Sequence, residues 1–351
     1  MTIYFIDLLC IALLNAIIKP KLGCTRKKWF VISSMLLLGL TAGCRSYLVG
    51  IDTYSYYWAY NYVDFDNSYY EPGFLLLIKF LNLFSDNPQT IIAASSLFIC
   101  FSVGLFVYRS SDNVFISIVL FVTLLSYASF MNLMRQALAV SILLFAYPSL
   151  CKKQFGYAAI IILLASSFHS SALIWLALIP LSMIRFSKKA LVAYVVVLAV
   201  LFVFPSQAFL MASSALGKYD GYLTSKWGGG NSFAAPIMSM MDFILLCIAW
   251  IAWKPGRNKL GFDTNLQFHA LMLLLLLQIL ACQINIYQRL ISYFSLFVLS
   301  LVPSSLRRFS PKSETLLDIC IVVITVVFFA VIMVFRPDWQ GVVPYTAFWD
   351  I

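Results

Sequence analysis

Apolar runs long enough to cross a lipid bilayer, roughly 20 residues each, recur from one end of this 351-residue chain to the other. No other feature constrains the fold as much. A backbone in hydrocarbon must satisfy its own hydrogen bonds, so a chain of such runs folds as a bundle of helices. With 62% hydrophobic and 11% charged residues and a mean hydropathy of +0.92, a soluble domain is excluded. The expected class is all-α, one polytopic membrane-embedded domain over 1–351. About 12 spans are expected, near 2–18, 29–43, 88–108, 113–131, 133–150, 155–168, 170–184, 190–205, 236–253, 266–284, 287–303 and 315–335.

The net charge of +10 raises the question of nucleic acid, and its placement answers it. Alternate connections are basic: 19–28, Arg109, Lys152 and Lys153, 185–189, 254–259 and 307–312 hold 17 of the 24 Lys and Arg residues. Asp112, Asp263, Glu314 and Asp318 accompany them, which leaves that side near +13 and the other near −3. Basic loops stay in the cytoplasm. The charge therefore orients the chain, with both termini and the large loops 44–87 and 206–235 outside.

Phe74–Phe84 is apolar but too short to span. Lys79, Asn82 and Asp86 share one face, so an interfacial helix is expected, entered through Glu71 with Pro72 in its first turn. Five basic residues follow the first apolar run and none precedes it, so it reads as a span rather than a cleavable leader. The eight cysteines are scattered without metal or disulfide spacing, and no metal or cofactor is expected. The loop 206–235 carries Lys218, Lys226, Trp227 and the Gly228–Gly230 run, which reads as a mobile segment.

Residues 155–184 have basic flanks at both ends, so the chain must go out and return. Two legs of about 14 residues reach only about 21 Å, short of a hydrocarbon core of about 30 Å. The turn "SSFHSS" with His169 therefore lies below the outer surface, where irregular backbone must be buried in protein or line a wet cavity. Two more hairpins turn near "SFMNLMRQAL" and "QINIYQRLI". These bring Arg135 and Arg289 to the same end, and Arg45 ends the second span there.

Ionisable residues at such depth usually mark function. Bland alternatives stand beside that: an arginine at a span end as a snorkelling anchor, a lone histidine as a hydrogen-bonded core residue, tyrosines as an interfacial belt. His269 and Arg336 are read in the bland way. Eight tyrosines in 47–70, interleaved with Asp52, Asp64 and Asp66, exceed a belt. Aromatic faces such as Tyr54 and Tyr57 stack on sugar rings, carboxylates bond hydroxyls, and arginines grip phosphate. Together they point to a lipid-linked sugar phosphate.

The pieces "CRSYLVGIDTYSYYWAY", "EPGF", "MRQALAVSILLFAY" and "FHSSALIWL", in this order and spacing over roughly 43–180, resemble the EpsG/Wzy family of bacterial polysaccharide polymerases. Beyond that, the match lies in the span pattern and "YQRL". The resemblance implies a GT-C-like membrane glycosyltransferase of the inner membrane. Such an enzyme joins undecaprenyl-pyrophosphate-linked repeats into surface polysaccharide, O-antigen or exopolysaccharide, at the outer face. Its partners would be donor and acceptor glycolipids, the bilayer and a chain-length regulator, with no nucleic acid. Carried over by position, Arg45 and Asp52 match the first piece, Glu71 the second, Arg135 the third and His169 the fourth. Substrate contacts are then expected from Arg45, Arg135, Arg289, Tyr54 and Tyr57. The base that accepts the hydroxyl proton stays open among His169, Asp52 and Glu71, with His169 ahead of Asp52. A lipid-linked oligosaccharide flippase is the alternative and a membrane acyltransferase using His169 a further one.

Overall fold

The computed structural model describes residues 1–66, 68–216, 234–252 and 264–350. Lys218, Lys226, Trp227, the glycine run and the basic connection 254–259 lie outside them. The α-helices in chain order are α1 Thr2–Ile18, α2 Cys24–Gly43, α3 Thr53–Tyr62, α4 Pro72–Asn82, α5 Gln89–Ser110, α6 Val114–Thr123, α7 Ser126–Asn132, α8 Met134–Cys151, α9 Phe155–Ser166, α10 Leu178–Leu181, α11 Lys188–Val203, α12 Pro205–Leu216, α13 Ala234–Ile251, α14 Thr264–Ala281, α15 Tyr287–Ser295, α16 Val298–Leu306 and α17 Pro311–Phe335. No strand occurs among the described residues. The one β-type contact is an isolated bridge between Arg45 and Ala347.

Among the described residues five helices are long and apolar enough to cross a membrane: Thr2–Leu22, Gln89–Ser110, Met134–Cys151, Thr264–Ala281 and Pro311–Phe335. Three bent pairs, α6 with α7, α11 with α12 and α15 with α16, raise the number to eight if each is one span. The chain is thus a multi-pass membrane protein. The expected count of about 12 exceeds this by four: α2 is not among these helices, and Phe155–Ser166, Ser170–Leu181 and Ala235–Ile251 are each too short to cross alone. For 155–181 that shortness was legible from the spacing of the flanking lysines and arginines. Within 170–181 the first two-thirds wind as a tight 3-10 helix over Ser170–Ala177.

Burial separates centre from rim. The windows of α8 and α14 are each 78% buried, against 17% for the first helix and 33% for α17. The rim helices keep apolar residues exposed, such as Leu9, Leu13, Val323 and Val327, as lipid contact requires. Water does not drive helices together in lipid, so small residues that admit close approach do that work. Gly39 and Gly43, one turn apart on α2, face Leu97 and Ala93 of α5; a Cβ on Gly43 would sit 3.3 Å from the Ala93 Cα.

The breaks have local causes. Between α6 and α7 the backbone of Leu125 enters the left-handed region at φ 66°, and the two helices meet at 54°. Pro205 cannot donate to the preceding turn, and α11 and α12 diverge there by 95°. Pro311 opens α17 behind the Ser310 cap, whose hydroxyl accepts from the Ser313 amide at 3.3 Å.

The stretch expected as an open loop is partly helical. α3 occupies Thr53–Tyr62 and α4 Pro72–Asn82. Pro72 stands at the first turn of α4 behind Glu71, as expected. Asn82 donates to the Tyr60 carbonyl at 3.2 Å, and the Lys79 ammonium lies 4.5 Å from the Phe65 ring centre. The polar face of α4 is therefore turned onto the end of α3 and the segment that follows it. Asp86 lies past the helix end. His269 is satisfied on both ring nitrogens, by the Tyr194 hydroxyl at 2.9 Å and the Ile184 carbonyl at 3.0 Å. It has the structural role read from the sequence.

Candidate functional site

The tips of the three hairpins, the cap residues of α3 and α4 and the chain's last residues meet at one end of the bundle. Arg135 lies in the first turn of α8, which starts two residues after α7 ends. Its guanidinium pairs with Glu71 at 2.5 Å. Both side chains are nearly enclosed, 12% and 7% exposed. Glu71 caps α4 in position only: its side chain makes no cap bond to the helix and is turned to other partners. The second carboxylate oxygen accepts from the Ser170 amide at 3.3 Å and hydroxyl at 3.1 Å. Burial raises the Glu71 carboxyl, but Arg135, His169 and backbone amides outweigh that and hold it below the usual carboxylate range.

The approach of α4 to the 167–170 turn needs a bare backbone. The Gly73 amide donates to the Ser167 carbonyl at 2.7 Å, and a Cβ there would stand 2.4 Å from the Ser167 hydroxyl and 2.8 Å from its carbonyl oxygen. His169 follows in this turn, its Nδ1 2.9 Å from the Ser171 hydroxyl, which lies 2.8 Å from the Tyr293 hydroxyl. The Tyr293 carbonyl accepts from the buried Trp175 indole at 2.9 Å. The histidine thus sits on a hydroxyl chain anchored in α15.

Aromatic rings roof the Arg135 pair. The guanidinium carbon lies 4.7 Å from the ring centre of Tyr70, 5.7 Å from Tyr56 and Tyr69, and 6.0 Å from Phe74. Such contacts contribute about 0.5–2 kcal/mol each, more when desolvated. The Arg135 Nε is buried with no hydrogen-bond partner. Burial and the nearby Asp52 push the Tyr56 hydroxyl up to about 12 despite Arg135, so Tyr56 is neutral at any working pH.

A second, wetter pair stands beside the first. Asp52 lies 3.8 Å from Arg289, with side chains 29% and 27% exposed. The Asp52 carboxylate is available because it makes no cap bond to α3. Its amide donates to Asn132 at 2.8 Å, and the Asn132 amide nitrogen is 2.5 Å from the Gln340 side-chain oxygen. Gln136, next to Arg135, donates to the Arg289 carbonyl and, at 2.8 Å, to Ser292. Tyr56 feels Arg135, Asp52 and Arg289 together, so the two pairs share one electrostatic neighbourhood.

The end of the chain completes the mouth. The Gly50 amide donates to the Gly341 carbonyl at 2.7 Å, Ile51 to Gln340 at 3.2 Å and Ser46 to Thr346 at 2.9 Å. Gly50 lies at φ 100°, and a Cβ there would stand 2.4 Å from the Thr53 hydroxyl, so only glycine fits this crossing. The Tyr4 hydroxyl donates to the Val342 carbonyl at 2.7 Å.

Of the expected site residues, Arg135, Glu71, His169, Asp52 and Arg289 come together. Arg45 is corrected. It is fully buried, and its guanidinium donates to the carbonyls of Ala42 and, at 2.7 Å, Met131, and to Ser96 at 2.9 Å. It ties α2, α5 and α7 together beneath the mouth. Tyr54 and Tyr57 pack with Tyr47, at 5.8 and 4.7 Å between ring centres. In helix α3 they take a different face from Tyr56, and Tyr56 is the one over Arg135. Asn132, Gln136, Tyr69, Tyr70, Tyr293 and Gln340 went unforeseen. The motif "MNLMRQ" contains the first two, and only the helix phase and the chain's return reveal the others.

The EpsG family model matches residues 28–347. The chain belongs to the EpsG family. The matched range contains every residue of both ion pairs and the roof. Comparison with curated proteins and with solved structures returned no match. Membership makes the chain a membrane protein of polysaccharide polymerase type, glycosyltransferase-like, acting among lipid-linked glycans in the bilayer.

Proposed function

We propose that this protein is a Wzy-type glycosyltransferase that joins undecaprenyl-pyrophosphate-linked repeat units into surface polysaccharide at the outer face of the inner membrane. The observation that carries this reading is Arg135 under an aromatic roof, with one buried guanidinium donor left unpartnered, and Arg289 in the second pair beside it. In the reaction an acceptor hydroxyl oxygen bonds to the donor's anomeric carbon, and the bond from that carbon to the pyrophosphate oxygen breaks. Charge develops on the leaving pyrophosphate, and preorganised cations there lower the barrier. Arg135 and Arg289 take that role, with Glu71 and Asp52 as the carboxylates that orient them when the site is empty. His169 accepts the hydroxyl proton. Glu71, held below its ordinary range by Arg135 and His169, is a poorer base than an ordinary glutamate.

Around this site the reading takes about 12 crossings in a GT-C-like bundle, with basic connections inside, termini and the loops 44–87 and 206–235 outside, and α4 at the outer interface. A deletion strain tests it. Loss of the protein is expected to leave single repeats on their carrier lipid at the outer face and to abolish the long polymer ladder. Accumulation of single repeats on the cytoplasmic leaflet would mark a flippase instead.

A further inference from the structure

The opposite end of the bundle holds a second constellation. The basic connections fold together there around a cavity of about 730 Å³, lined by Lys21, Lys27, Arg109, Lys152 and Arg307 with one acid, Asp112. Lys21 is held by Asp318 at 3.3 Å and Glu314 at 3.7 Å, and Arg307 by Glu314 at 2.9 Å. Lys27 donates to the Ser111 carbonyl at 2.8 Å. Arg109 and Lys152 are exposed and make no ion pair among the described residues. Cations needed only to orient a membrane protein gain nothing by converging, since like charges repel. Convergence from separate elements on one cavity builds an anion site, with Arg109 and Arg307 able to hold phosphate oxygens bidentately.

A second cavity adjoins it. A groove of about 450 Å³ runs along α2 and α5, lined by Ile32, Leu36, Leu97, Phe101 and Leu105, with Lys28 and Tyr108 at its basic end. Tyr108 lines both cavities. From Lys28 to Leu36 the helix rises about 12 Å, less than half of a hydrocarbon core of about 30 Å. That is the depth of one leaflet.

We propose that pocket and groove together bind a lipid of the leaflet on the basic side whose head is a terminal phosphate of net negative charge. Its head sits among Lys27, Arg109 and Lys152, and one chain lies between α2 and α5. Charge complementarity selects the head and the groove selects a tail, so a free phosphate satisfies only half of the site. The site is independent of the transfer reaction proposed above.

The test uses the purified full-length protein in neutral detergent and follows thermal unfolding against dioleoyl phosphatidic acid, dioleoyl phosphatidylcholine and inorganic pyrophosphate. Phosphatidic acid is expected to raise the Tm saturably and phosphatidylcholine to leave it unchanged. The exposed double variant Arg109→Gln with Lys152→Gln is expected to raise the half-saturating phosphatidic acid concentration at least tenfold. Leu36→Trp, which fills the groove, is expected to do the same without changing any response to pyrophosphate. Should Leu36→Trp fail to fold, Phe101→Ala at an exposed position removes one groove wall and is read the same way. Equal protection by pyrophosphate and lipid, indifferent to the groove variants, would overturn the proposal in favour of a soluble anion. An unchanged lipid response in the double glutamine variant would overturn it in favour of orientation anchors alone.

Discussion

The two ends of this bundle carry charge in opposite ways. At the mouth each arginine has a carboxylate: Arg135 with Glu71, nearly enclosed, and Arg289 with Asp52, about a quarter exposed. At the basic end five cations line one cavity; Lys21 and Arg307 are held by Asp318 and Glu314, while Arg109 and Lys152 make no ion pair among the described residues. Paired charges at depth cost desolvation and are kept where geometry matters. Exposed cations at a rim keep their heads in water, cost little and stay open to an anion. Similar residue types thus serve two physical purposes, and substitutions should separate them.

The largest effect is expected at the enclosed pair. Arg135→Ala leaves Glu71 buried without its cation, a cost of about 3–5 kcal/mol, and both polymer and membrane abundance should fall. Arg135→Lys should retain abundance yet lose most polymer, because an ammonium cannot reproduce the planar fork. Normal ladders from the lysine variant would reduce Arg135 to an interfacial anchor.

Next comes the wetter pair. Asp52→Asn keeps size and hydrogen bonds but removes the charge facing Arg289, and most polymer should vanish while protein still accumulates in the membrane. Asp66→Asn, on the exposed stretch beyond α3, should be mild. Equal ladders from both variants would turn the 47–71 segment into a lid and confine the chemistry to Arg135, His169 and Arg289.

A third effect separates structure from chemistry. Arg45→Met strips the Met131 and Ala42 carbonyls of a buried donor, a cost of about 1–3 kcal/mol per group left unsatisfied. The Tm of the purified protein should drop, while polymer made per folded molecule stays near normal. A selective loss of activity at unchanged Tm would return Arg45 to the site.

Smaller still is the acid response. Because the folded Glu71 carboxyl is held below its ordinary value, the stability it contributes is present above the unfolded value, about 4.3. It is lost as pH falls through the lower folded value. Glu71→Gln should therefore be less stable than the parent at neutral pH and should show a shallower loss on acidification. Parallel Tm-versus-pH curves would count against the ion pair. The smallest perturbation is a label. A cysteine at Tyr62, which is 66% exposed, should react from outside, and one at Lys153 should not. Tyr60 in the same helix is buried and would report nothing.

How much of this was legible depended on whether a residue's role follows from its own neighbours in sequence. Arg135 and His169 were singled out because each interrupts an apolar run at a hairpin tip, and Glu71 because it precedes proline at a helix start; the structure brings the three together. Arg45 was misplaced because an arginine at a span end looks the same whether it faces a cavity or its neighbours' carbonyls. The roof was misassigned because the tyrosines were read as a loop. Once 53–62 is a helix, its 3.6-residue period turns Tyr56 inward and leaves Tyr54 and Tyr57 on another face.

By itself the sequence determined that this chain is a helical, multi-pass membrane protein with a polar mouth and a basic end. Apolar runs of this length cross hydrocarbon as helices, and charge bias needs no tertiary contact to act. Only the tertiary structure decided which carboxylate meets which arginine, that the 336–350 return covers the Gly50 crossing, and that Gln340 reaches Asn132. These pairings join residues 64 to 291 positions apart. No local periodicity encodes a distance of that kind; it is set by how hairpins of unequal length pack around α8 and α14.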